Sequence, residues 1–173
     1  MKIGINGYEA VVSRFGHNKN GLPNRVGSSE ICFEILNELE KIDKKNDYTV
    51  YLPVAPTSAM PKGRAGWQYK VVLGNRLWTL RALNRAVNRD IPDVFWSPTH
   101  YAPLMLKMPQ VITILDVSYK HFPKFFAKKD LYKLLLWGKY SVKRAKRIIT
   151  ISQASRDDII KEYNVVPAKV AVV

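Results

Sequence analysis

Three things are scarce in this sequence: cysteine, long apolar runs and acidic residues. Cys32 is the only cysteine among 173 residues, so no disulfide can form within the chain. No segment approaches the roughly 20 apolar residues that a membrane-spanning helix needs. The amino end, MKIGING, carries neither the apolar segment nor the cleavage site of a signal peptide. Together these absences favour a location in the cytoplasm.

The scarcity of acids leaves an uneven positive charge. The chain has 28 Lys and Arg against 14 Asp and Glu, a net charge of +14. Between Lys120 and Arg147 stand ten basic residues and a single acid, Asp130. Such a field attracts phosphorylated substrates, an anionic membrane surface or nucleic acid, and a solvated helix face is the alternative interpretation. The predicted anion patch consists of Lys128, Lys129, Lys133, Lys139, Lys143, Arg144, Lys146 and Arg147.

Short β-rich runs alternate with helical patterns along the whole chain. Strands are predicted at Lys2–Asn6, Tyr48–Val54, Trp67–Leu73, Asp93–Trp96, Val111–Leu115, Arg147–Ile151 and Lys169–Val173. Helices are predicted at about Ser28–Lys44, Leu77–Val87, Lys128–Arg147 and Gln153–Tyr163. This alternation predicts one α/β domain with a doubly wound, Rossmann-like parallel sheet and helices on both faces. A loop at Gly7–Gly27 is unusually long, and loops of this length are usually functional or disordered.

Polar residues follow three of the predicted strands where the strands end. They are Ser97, Thr99 and His100, then Asp116 and Ser118, then Ser152 and Ser155. Ligands of parallel sheets bind at the carboxyl ends of the strands, so we predict Asp116 and His100 as catalytic groups. The predicted substrate contacts here are Thr99, Ser118, His121 and Ser152. A turn-forming role for Asp116 is the alternative, and helix capping suffices to explain Ser152, or Ser155 paired with Asp158.

The start of the first long helix is a second candidate site. Gly27 and Ser28 place backbone amides at a helix N-terminus, which suits a donor diphosphate or a phosphorylated acceptor, and a plain helix start is the alternative. The preceding loop carries three side chains suited to sugars and phosphates: Tyr8, Arg14 and Arg25. Cys32 occupies an apolar helix position and is predicted to be a buried, inert thiol. No spacing of His, Cys and Asp indicates a metal site.

The basic helix has one apolar stripe that is predicted to cover the sheet. The stripe consists of Leu131, Leu134, Leu135, Val142 and Ala145. Trp137 falls outside this stripe, and an aromatic ring between an apolar and a basic face suits a membrane interface. We therefore predict peripheral binding to the inner face of an anionic membrane through this helix, aided by an arginine face at Arg81, Arg85 and Arg89.

Four segments in this order resemble the N-terminal domain of a known enzyme family. The segments are NRVGSSEICFEILNEL, PDVFWSPTHYAPL, VITILDVSYKHFPKFF and AKRIITISQASRDDIIKEYNVVPAKVAVV. They resemble the retaining, two-domain glycosyltransferases of the GT-B fold, in the family 4 group that includes many mannosyltransferases. The resemblance implies that residues 1–173 form the acceptor-side half of such a fold. It implies a donor-binding domain, with its paired glutamates, outside this chain.

The same resemblance implies the substrates of the enzyme, and this sequence departs from the family at one position. The co-substrate would be a nucleotide sugar, the acceptor a lipid- or polysaccharide-linked glycan, and no metal or other cofactor would be needed. The chain alone is expected to be inactive. The family's HD motif directs a histidine at the sugar, whereas here Leu115 occupies that position and only Asp116 matches. Leucine cannot form a hydrogen bond, so His100 and His121 are the candidates to replace that histidine.

Two other classes of function stay open at this point. One is a non-catalytic basic α/β module that binds anionic lipid or nucleic acid; the basic segment fits no RNA-recognition or helix-turn-helix signature, so nucleic acid is disfavoured. The other is a stand-alone nucleotide-binding domain of the flavodoxin type. The chain has neither a G-x-G-x-x-G nor a G-x-x-x-x-G-K-[ST] motif, which argues against that second class.

Overall fold

A single parallel sheet organises the chain. The computed structural model describes residues 1–12 and 16–173, and in them seven strands pair in the order β3-β2-β1-β4-β5-β6-β7, all parallel. The strands are β1 (Lys2–Asn6), β2 (Asp47–Leu52), β3 (Trp67–Val71), β4 (Val94–Ser97), β5 (Gln110–Thr113), β6 (Arg147–Thr150) and β7 (Val170–Val172). The predicted doubly wound, Rossmann-like fold is confirmed, and each strand lies within two residues of its predicted bounds.

The helices connect the strands. They are α1 (Tyr8–Val11), α2 (Ser28–Ile42), α3 (Asn84–Asp90), α4 (Ser118–His121), α5 (Lys128–Lys133), α6 (Lys139–Arg144) and α7 (Gln153–Tyr163). A π-helical turn at Thr79–Leu83 precedes α3, and a second at Leu134–Gly138 joins α5 to α6. Short 3₁₀ turns lie at Pro123–Phe125 and Pro167–Lys169. None of the helices in the described residues is both long and apolar enough to cross a membrane.

Part of the predicted long loop is helical. Residues 8–11 form α1 because the Asn6 side-chain oxygen accepts a hydrogen bond from the Tyr8 N–H at 3.2 Å, which starts the turn. The Gly7 carbonyl then accepts from the Ala10 N–H at 3.1 Å. The hydrophobic pattern of four residues is too short to predict such a turn.

Two predicted helices have different bounds in the structure. The helix predicted at Leu77–Val87 starts its π turn at Thr79, because Leu77 has a φ of 69° and so lies outside the helical region. The helix predicted at Lys128–Arg147 contains a π turn and ends at Arg144. Ala145 is extended beyond it, and the Lys146 N–H bonds to the Gln110 carbonyl at 2.7 Å, so the chain has already joined the sheet.

The strand order reverses once, between β1 and β4, and helices cover both faces accordingly. α1 and α2 pack on the face of β1 and β2 that presents Ile5, Val50 and Leu52. α3 packs on the opposite face, against Tyr51 and Phe95. The core is therefore divided by the sheet, and its carboxyl edge is left open between the two layers.

Two predictions about apolar residues are confirmed. Cys32 is fully buried, and desolvation raises the pKa of its thiol to about 12, as expected of an inert cysteine. The stripe on the basic helix packs where it was predicted to pack. Val142 and Ala145 are buried beside Ile148, and the stripe leucines are partly buried against the same cluster: Leu131, Leu134 and Leu135. The basic segment is thus anchored by its apolar side.

α7 begins with a serine cap. The Ser152 backbone is extended, and its hydroxyl oxygen accepts a hydrogen bond from the Ser155 N–H at 3.1 Å. Ser152 is therefore the N-cap, and the pairing of Ser155 with Asp158 as a capping box is wrong, because Ser155 lies inside the first helical turn.

We predict that Ser152→Ala lowers the free energy of unfolding by about 1 kcal/mol, because the Ser155 N–H loses its acceptor. Ser155→Ala is the matched control: it keeps that backbone bond and should cost clearly less. Urea denaturation of the two variants measures both costs. Equal costs, or a larger cost at Ser155, would contradict the cap.

Candidate functional site

A crevice opens at the carboxyl edge of the sheet, where the strand order reverses. Its volume is about 500 Å³. It is lined by Asn6 at the end of β1, by Pro53 just after β2 and by Thr99 just after β4. Open α/β sheets bind their ligands in this kind of crevice. It lies outside the carboxyl ends of two neighbouring strands whose connections run to opposite sides of the sheet. The crevice is therefore the candidate functional site.

A buried hydrogen-bond network forms the floor of this crevice. Asn6 Nδ2 donates to Ser97 Oγ at 3.0 Å, which joins the ends of β1 and β4. Asn6 Oδ1 accepts from the Tyr8 N–H, and the Ser97 hydroxyl donates to the Tyr101 carbonyl. Asn6 is 4% exposed and Ser97 is 0% exposed, so both depend on these partners. Because Tyr8 and Tyr101 line the crevice, the network positions residues on two sides of it.

Aromatic rings form two walls. Tyr8 packs against Trp78 with ring centroids 5.4 Å apart, and Tyr101 packs against Trp137 at 4.7 Å. Trp78 Nε1 donates to the Val72 carbonyl at 2.6 Å, while Trp137 Nε1 donates to the Ala102 carbonyl at 2.8 Å. Both indoles are held by a ring contact and a hydrogen bond, so the walls are preformed, as ligand pockets usually are.

Three charged side chains line the crevice. Glu9 is buried on α1, next to the floor, while Arg76 and Lys133 are exposed. Arg76 follows β3, near Trp78, and Lys133 ends α5, near Trp137, so each aromatic wall carries one cation. Lys133 also pairs with Asp130 at 3.2 Å on the surface, a contact that stabilises little because it is exposed.

Unusual backbone also concentrates here. Thr79 and Trp137 both line the crevice, and each belongs to one of the two π-helical turns described above. Leu77, on the rim, is held at a φ of 69°, which costs a non-glycine residue roughly 1–2 kcal/mol. Such turns and strained residues are frequent at functional sites. This observation favours the crevice independently of its chemistry.

A larger depression, about 740 Å³, lies at the opposite, amino edge of β1–β3. Two of its charged groups, Lys70 and Asp90, pair with each other. Asp90 accepts from Lys70 at 2.7 Å and from the Tyr51 hydroxyl at 2.9 Å. It stands away from the edge where parallel sheets bind ligands, so we assign it no role.

The predicted catalytic residues meet one strand further along the carboxyl edge. His100 Nε2 lies 3.2 Å from the backbone carbonyl oxygen of Asp116, and the His100 ring packs edge-on against Tyr119. Burial lowers the pKa of His100, more strongly than the contacts with Asp116 raise it, so the imidazole is neutral near pH 7. A carbonyl only accepts, so Nε2 carries the proton and Nδ1 is the acceptor nitrogen.

Comparison with known proteins identifies the family. Residues 27–173 match the model of Glycosyltransferase Family 4. The chain belongs to this family. The curated O-antigen chain mannosyltransferase RfbU of Salmonella typhimurium (strain LT2) is 37% identical over 75 residues, which are 43% of this chain and 20% of that protein. The matched segment thus spans about a fifth of the relative's length.

The family 4 motif around Asp116 has a structural role in this chain. Asp116 Oδ1 accepts from the Ser118 N–H at 2.8 Å, which is the turn-forming role weighed as the alternative. A part for its exposed carboxylate in catalysis stays a prediction. Leu115, in the family's histidine position, is half-buried, and its carbonyl accepts from the Thr150 hydroxyl at 3.4 Å.

The other predicted contacts of the family 4 domain separate into two groups. Thr99 is 7% exposed and lines the crevice. His121 pairs with Asp158 at 3.5 Å and Ser152 caps α7, so both have structural partners. Ser118 opens α4 beside Asp116. The substrate contacts predicted for all four residues, Thr99 included, stay predictions.

Arg25, Gly27 and Ser28 lie outside the crevice lining. Gly27 is the N-cap of α2, with a φ of 55° that favours glycine, and Ser28 is half-buried at the first helical position. Arg25 stacks over the Phe33 ring at 3.5 Å. Tyr8 is the one loop candidate that lines the crevice, and Arg14 lies outside the described residues.

All eight cations of the predicted patch are exposed along α5, α6 and the start of β6. The placement of Trp137 at a membrane interface is wrong, because its indole turns into the crevice and bonds to Ala102. Leu136 beside it is 72% exposed instead. Among the described residues, no three His, Cys, Asp or Glu side chains are grouped to hold a metal ion.

Sequence reasoning missed several crevice residues: Asn6, Glu9, Arg76, Trp78 and Tyr101. A signal existed for Asn6, since a polar residue ending the first strand satisfies the same rule that indicated Asp116. The sequence contains no such signal for Trp78 and Arg76, because the periodic pattern around them indicated an ordinary helix. Tyr101 directly follows His100 in the sequence, and only the network through Ser97 shows where it is held.

We predict that Ser97→Ala lowers the free energy of unfolding by about 1–3 kcal/mol, because Asn6 Nδ2 is left buried without its acceptor. Thr49→Val is the matched control, since it removes a hydroxyl that accepts from the Gln68 amide at 2.9 Å in an exposed place. The control should cost no more than about 0.5 kcal/mol. Similar losses for the two variants in urea denaturation would contradict the role of the network.

We predict that His100 makes the domain less stable in mild acid. Its pKa is lower in the folded chain than its ordinary value of 6.5, so the unfolded chain binds the proton first as the pH falls. The contribution is present above about pH 6.5 and is lost as the pH falls through the lowered pKa. His100→Gln, which keeps a donor for the Asp116 carbonyl, should flatten this pH dependence. Parallel stability curves for the two proteins would refute the prediction.

Proposed function

We propose that this chain is the acceptor-binding domain of a glycosyltransferase. The enzyme would move a sugar from a nucleotide-sugar donor to a lipid- or polysaccharide-linked acceptor. The observation that carries the proposal is the preformed crevice at the strand reversal of a chain that belongs to glycosyltransferase family 4. The name of the relative, an O-antigen chain mannosyltransferase, supports a glycan as the acceptor.

The crevice suits a sugar on chemical grounds. The floor presents the Asn6 amide and the Thr99 hydroxyl, and the Glu9 carboxylate, which already has a partner, offers further acceptor positions for hydroxyl groups. The rings of Tyr8 and Tyr101 give flat apolar surfaces on two sides. Holding the acceptor in one orientation supplies much of what a transfer reaction needs, because the reacting hydroxyl is then already aimed at the donor.

The donor side is assigned to a second domain that is not among these residues. Transfer requires groups on both sides of a closed cleft, which exclude water and hold the donor against the acceptor. His100 and Asp116, at the strand ends beside the crevice, are assigned to the reacting side. Asp116 would orient a hydroxyl or stabilise positive charge on the transferred sugar. His100 would provide the polar group that Leu115 cannot provide.

We predict that Asp116→Ala in the product of the complete gene lowers turnover by at least about tenfold while changing stability by less than about 1 kcal/mol. The measurement is transfer of labelled sugar from a panel of nucleotide sugars to a bacterial lipid and polysaccharide extract. The 173-residue chain assayed beside it should show no transfer. Normal turnover of the variant would leave Asp116 as a turn residue, and transfer by the chain alone would contradict the two-sided cleft.

Association with a membrane belongs to the same proposal. The eight exposed cations of the patch lie on one continuous segment, and Tyr132 and Leu136 on that segment are 63% and 72% exposed. Each cation near an anionic surface contributes about 1 kcal/mol, so four engaged cations give roughly 4 kcal/mol and reversible binding. The enzyme would thus act on the inner face of the cytoplasmic membrane. Binding of this kind without catalysis is the second candidate function.

We predict that the chain sediments with phosphatidylglycerol vesicles at low salt and is released at high salt, because screening weakens exposed charges. Reversing charge at Lys139 and Lys143 should abolish sedimentation, whereas the same change at Lys44 and Lys45, which follow the end of α2, should not. Equal binding to neutral vesicles would contradict the proposal that the chain binds membranes electrostatically.

A further inference from the structure

We propose that Tyr163, on α7, is a positioning residue for the sugar transfer. Its hydroxyl holds the ring of Tyr119, and the Tyr119 ring holds the imidazole of His100. This inference rests on the proposed function, in which His100 and Asp116 stand on the reacting side. It extends the functional machinery to α7, a helix that lies outside the crevice lining.

A pair of phenol hydroxyls joins α4 to α7. The hydroxyl of Tyr119 and the hydroxyl of Tyr163 form a hydrogen bond with each other, across 44 positions of the sequence. Tyr119 is 2% exposed, and burial raises the pKa of both phenols, so both keep their protons at neutral pH. A neutral phenol can donate and accept, and a buried tyrosine usually has such a partner. Loss of either hydroxyl therefore leaves the other without this partner.

The π turn of the basic helix lies against the same two hydroxyls. Gly138, its last residue, is buried, and a Cβ added there would lie 3.5 Å from the Tyr163 hydroxyl and 3.8 Å from the Tyr119 hydroxyl. Three elements, α4, α7 and the π turn, therefore meet at this hydrogen bond. Trp137, the residue before the glycine, packs against Tyr101 in the crevice wall. The same turn thus contacts both the crevice and the tyrosine pair.

α7 also determines where α4 lies. α4 has four residues, and a single helical turn has little stability of its own. Lys120 Nζ donates to the Glu162 carbonyl at 2.6 Å and lies 3.9 Å from the centre of the Tyr163 ring. His121 pairs with Asp158 at 3.5 Å. Together with the tyrosine pair, three consecutive residues of α4 thus each contact a residue of α7.

Both groups on the reacting side are attached to α4. The His100 ring packs edge-on against the Tyr119 ring, with centroids 6.0 Å apart and ring planes at 72°. Asp116 Oδ1 accepts at 2.8 Å from the N–H of Ser118, the first residue of α4. The Asp116 carbonyl accepts from His100 Nε2 at 3.2 Å. A displacement of α4 would therefore move the carboxylate and the imidazole together.

Removing the Tyr163 hydroxyl would loosen the imidazole while leaving α4 in place. The contacts of Lys120 and His121 with α7 do not involve that hydroxyl, so they still hold the helix. The Tyr119 ring would keep its ring contacts, which define a direction less sharply than a hydrogen bond does. His100 would then turn more freely about its bond to the carbonyl. A reacting group misplaced by about 1 Å can cost roughly 100-fold in rate, so turnover is the sensitive quantity.

The first test measures sugar transfer by the complete gene product. Tyr163→Phe removes only a hydroxyl, and we expect kcat to fall about tenfold while the KM for the acceptor changes less than about twofold, because the crevice lining is untouched. Tyr69→Phe is the matched control, since it removes a partly buried hydroxyl that donates to the Pro61 carbonyl at 2.8 Å in the depression at the amino edge. The control should keep the kcat of the parent. A normal kcat for Tyr163→Phe would overturn the inference.

A double variant separates positioning from stability. Tyr163→Phe alone leaves the Tyr119 hydroxyl buried without its partner, whereas Tyr119→Phe combined with Tyr163→Phe removes both hydroxyls. The double variant should therefore unfold at a urea concentration closer to that of the parent. We expect its kcat to stay about tenfold low. Recovery of kcat together with stability would show a merely structural pair and would contradict the inference. The double variant also replaces the single one if that one does not fold.

Nuclear magnetic resonance of the 173-residue chain gives a measurement that does not depend on transfer. The chain has three histidines, at positions 17, 100 and 121, so His100→Gln assigns the ring signals of His100. In Tyr163→Phe we expect the pKa of His100 to rise toward 6.5, because looser packing admits water to a ring whose pKa burial lowers. Tyr69→Phe should leave this pKa as it is. Unchanged His100 signals in Tyr163→Phe would count against the inference.

Failure of this inference and failure of the proposed function give different results. Normal kcat in Tyr163→Phe, with an active parent enzyme, overturns the inference and leaves the proposed function standing. Absence of transfer by the parent enzyme with every donor and acceptor overturns the proposed function. The resonance measurement then decides alone: a raised pKa of His100 in Tyr163→Phe supports the hold of Tyr163 on the imidazole, and an unchanged one refutes it.

Discussion

The hydrogen bond between Asn6 and Ser97 is the contact on which the site depends. It joins the ends of two strands that are 91 residues apart in the chain, at the place where the sheet reverses its order. Asn6 also starts α1 through the Tyr8 N–H, and Ser97 holds the Tyr101 carbonyl, so one buried pair sets both aromatic walls. A buried pair of this kind is valuable for its geometry more than for its net energy, because neither partner can be satisfied elsewhere.

The basic segment shows how one helix can serve two surfaces. Its stripe leucines and Val142 attach it to the sheet, while its cations face water. The π turn between α5 and α6 adds one residue to a turn of helix and so rotates the side chains on either side of it. Trp137 therefore reaches the crevice while its neighbour Leu136 faces solvent. Adjacent side chains of a regular helix already point about 100° apart, and the residue added by the π turn sets which of the two faces the crevice.

The predictable parts of the fold are those in which several consecutive residues follow one hydrophobic pattern. Seven β-branched runs gave the strands, and the spacing of apolar residues gave α2, α7 and the stripe on the basic helix. Asp116 was predictable as a polar residue at a strand end, and its pairing with Ser118 was one of the alternatives. The crevice was not predictable from the sequence, because Asn6, Trp78 and Trp137 come from distant segments of the chain. The positive φ of Leu77 was not predictable either, since the folded chain holds this leucine in a backbone conformation that leucine rarely adopts.

The burial of Cys32 has a practical consequence for studying this protein. It is the only cysteine in the sequence, it is fully buried, and its thiol has a pKa of about 12, so almost none of it is thiolate at neutral pH. Reagents that react with thiolates will therefore pass over it in the folded chain. A cysteine introduced on the crevice rim would be the sole labelling position, and the native residue need not be replaced first. Fluorophores or spin labels can thus be attached at a single chosen point of the unaltered core.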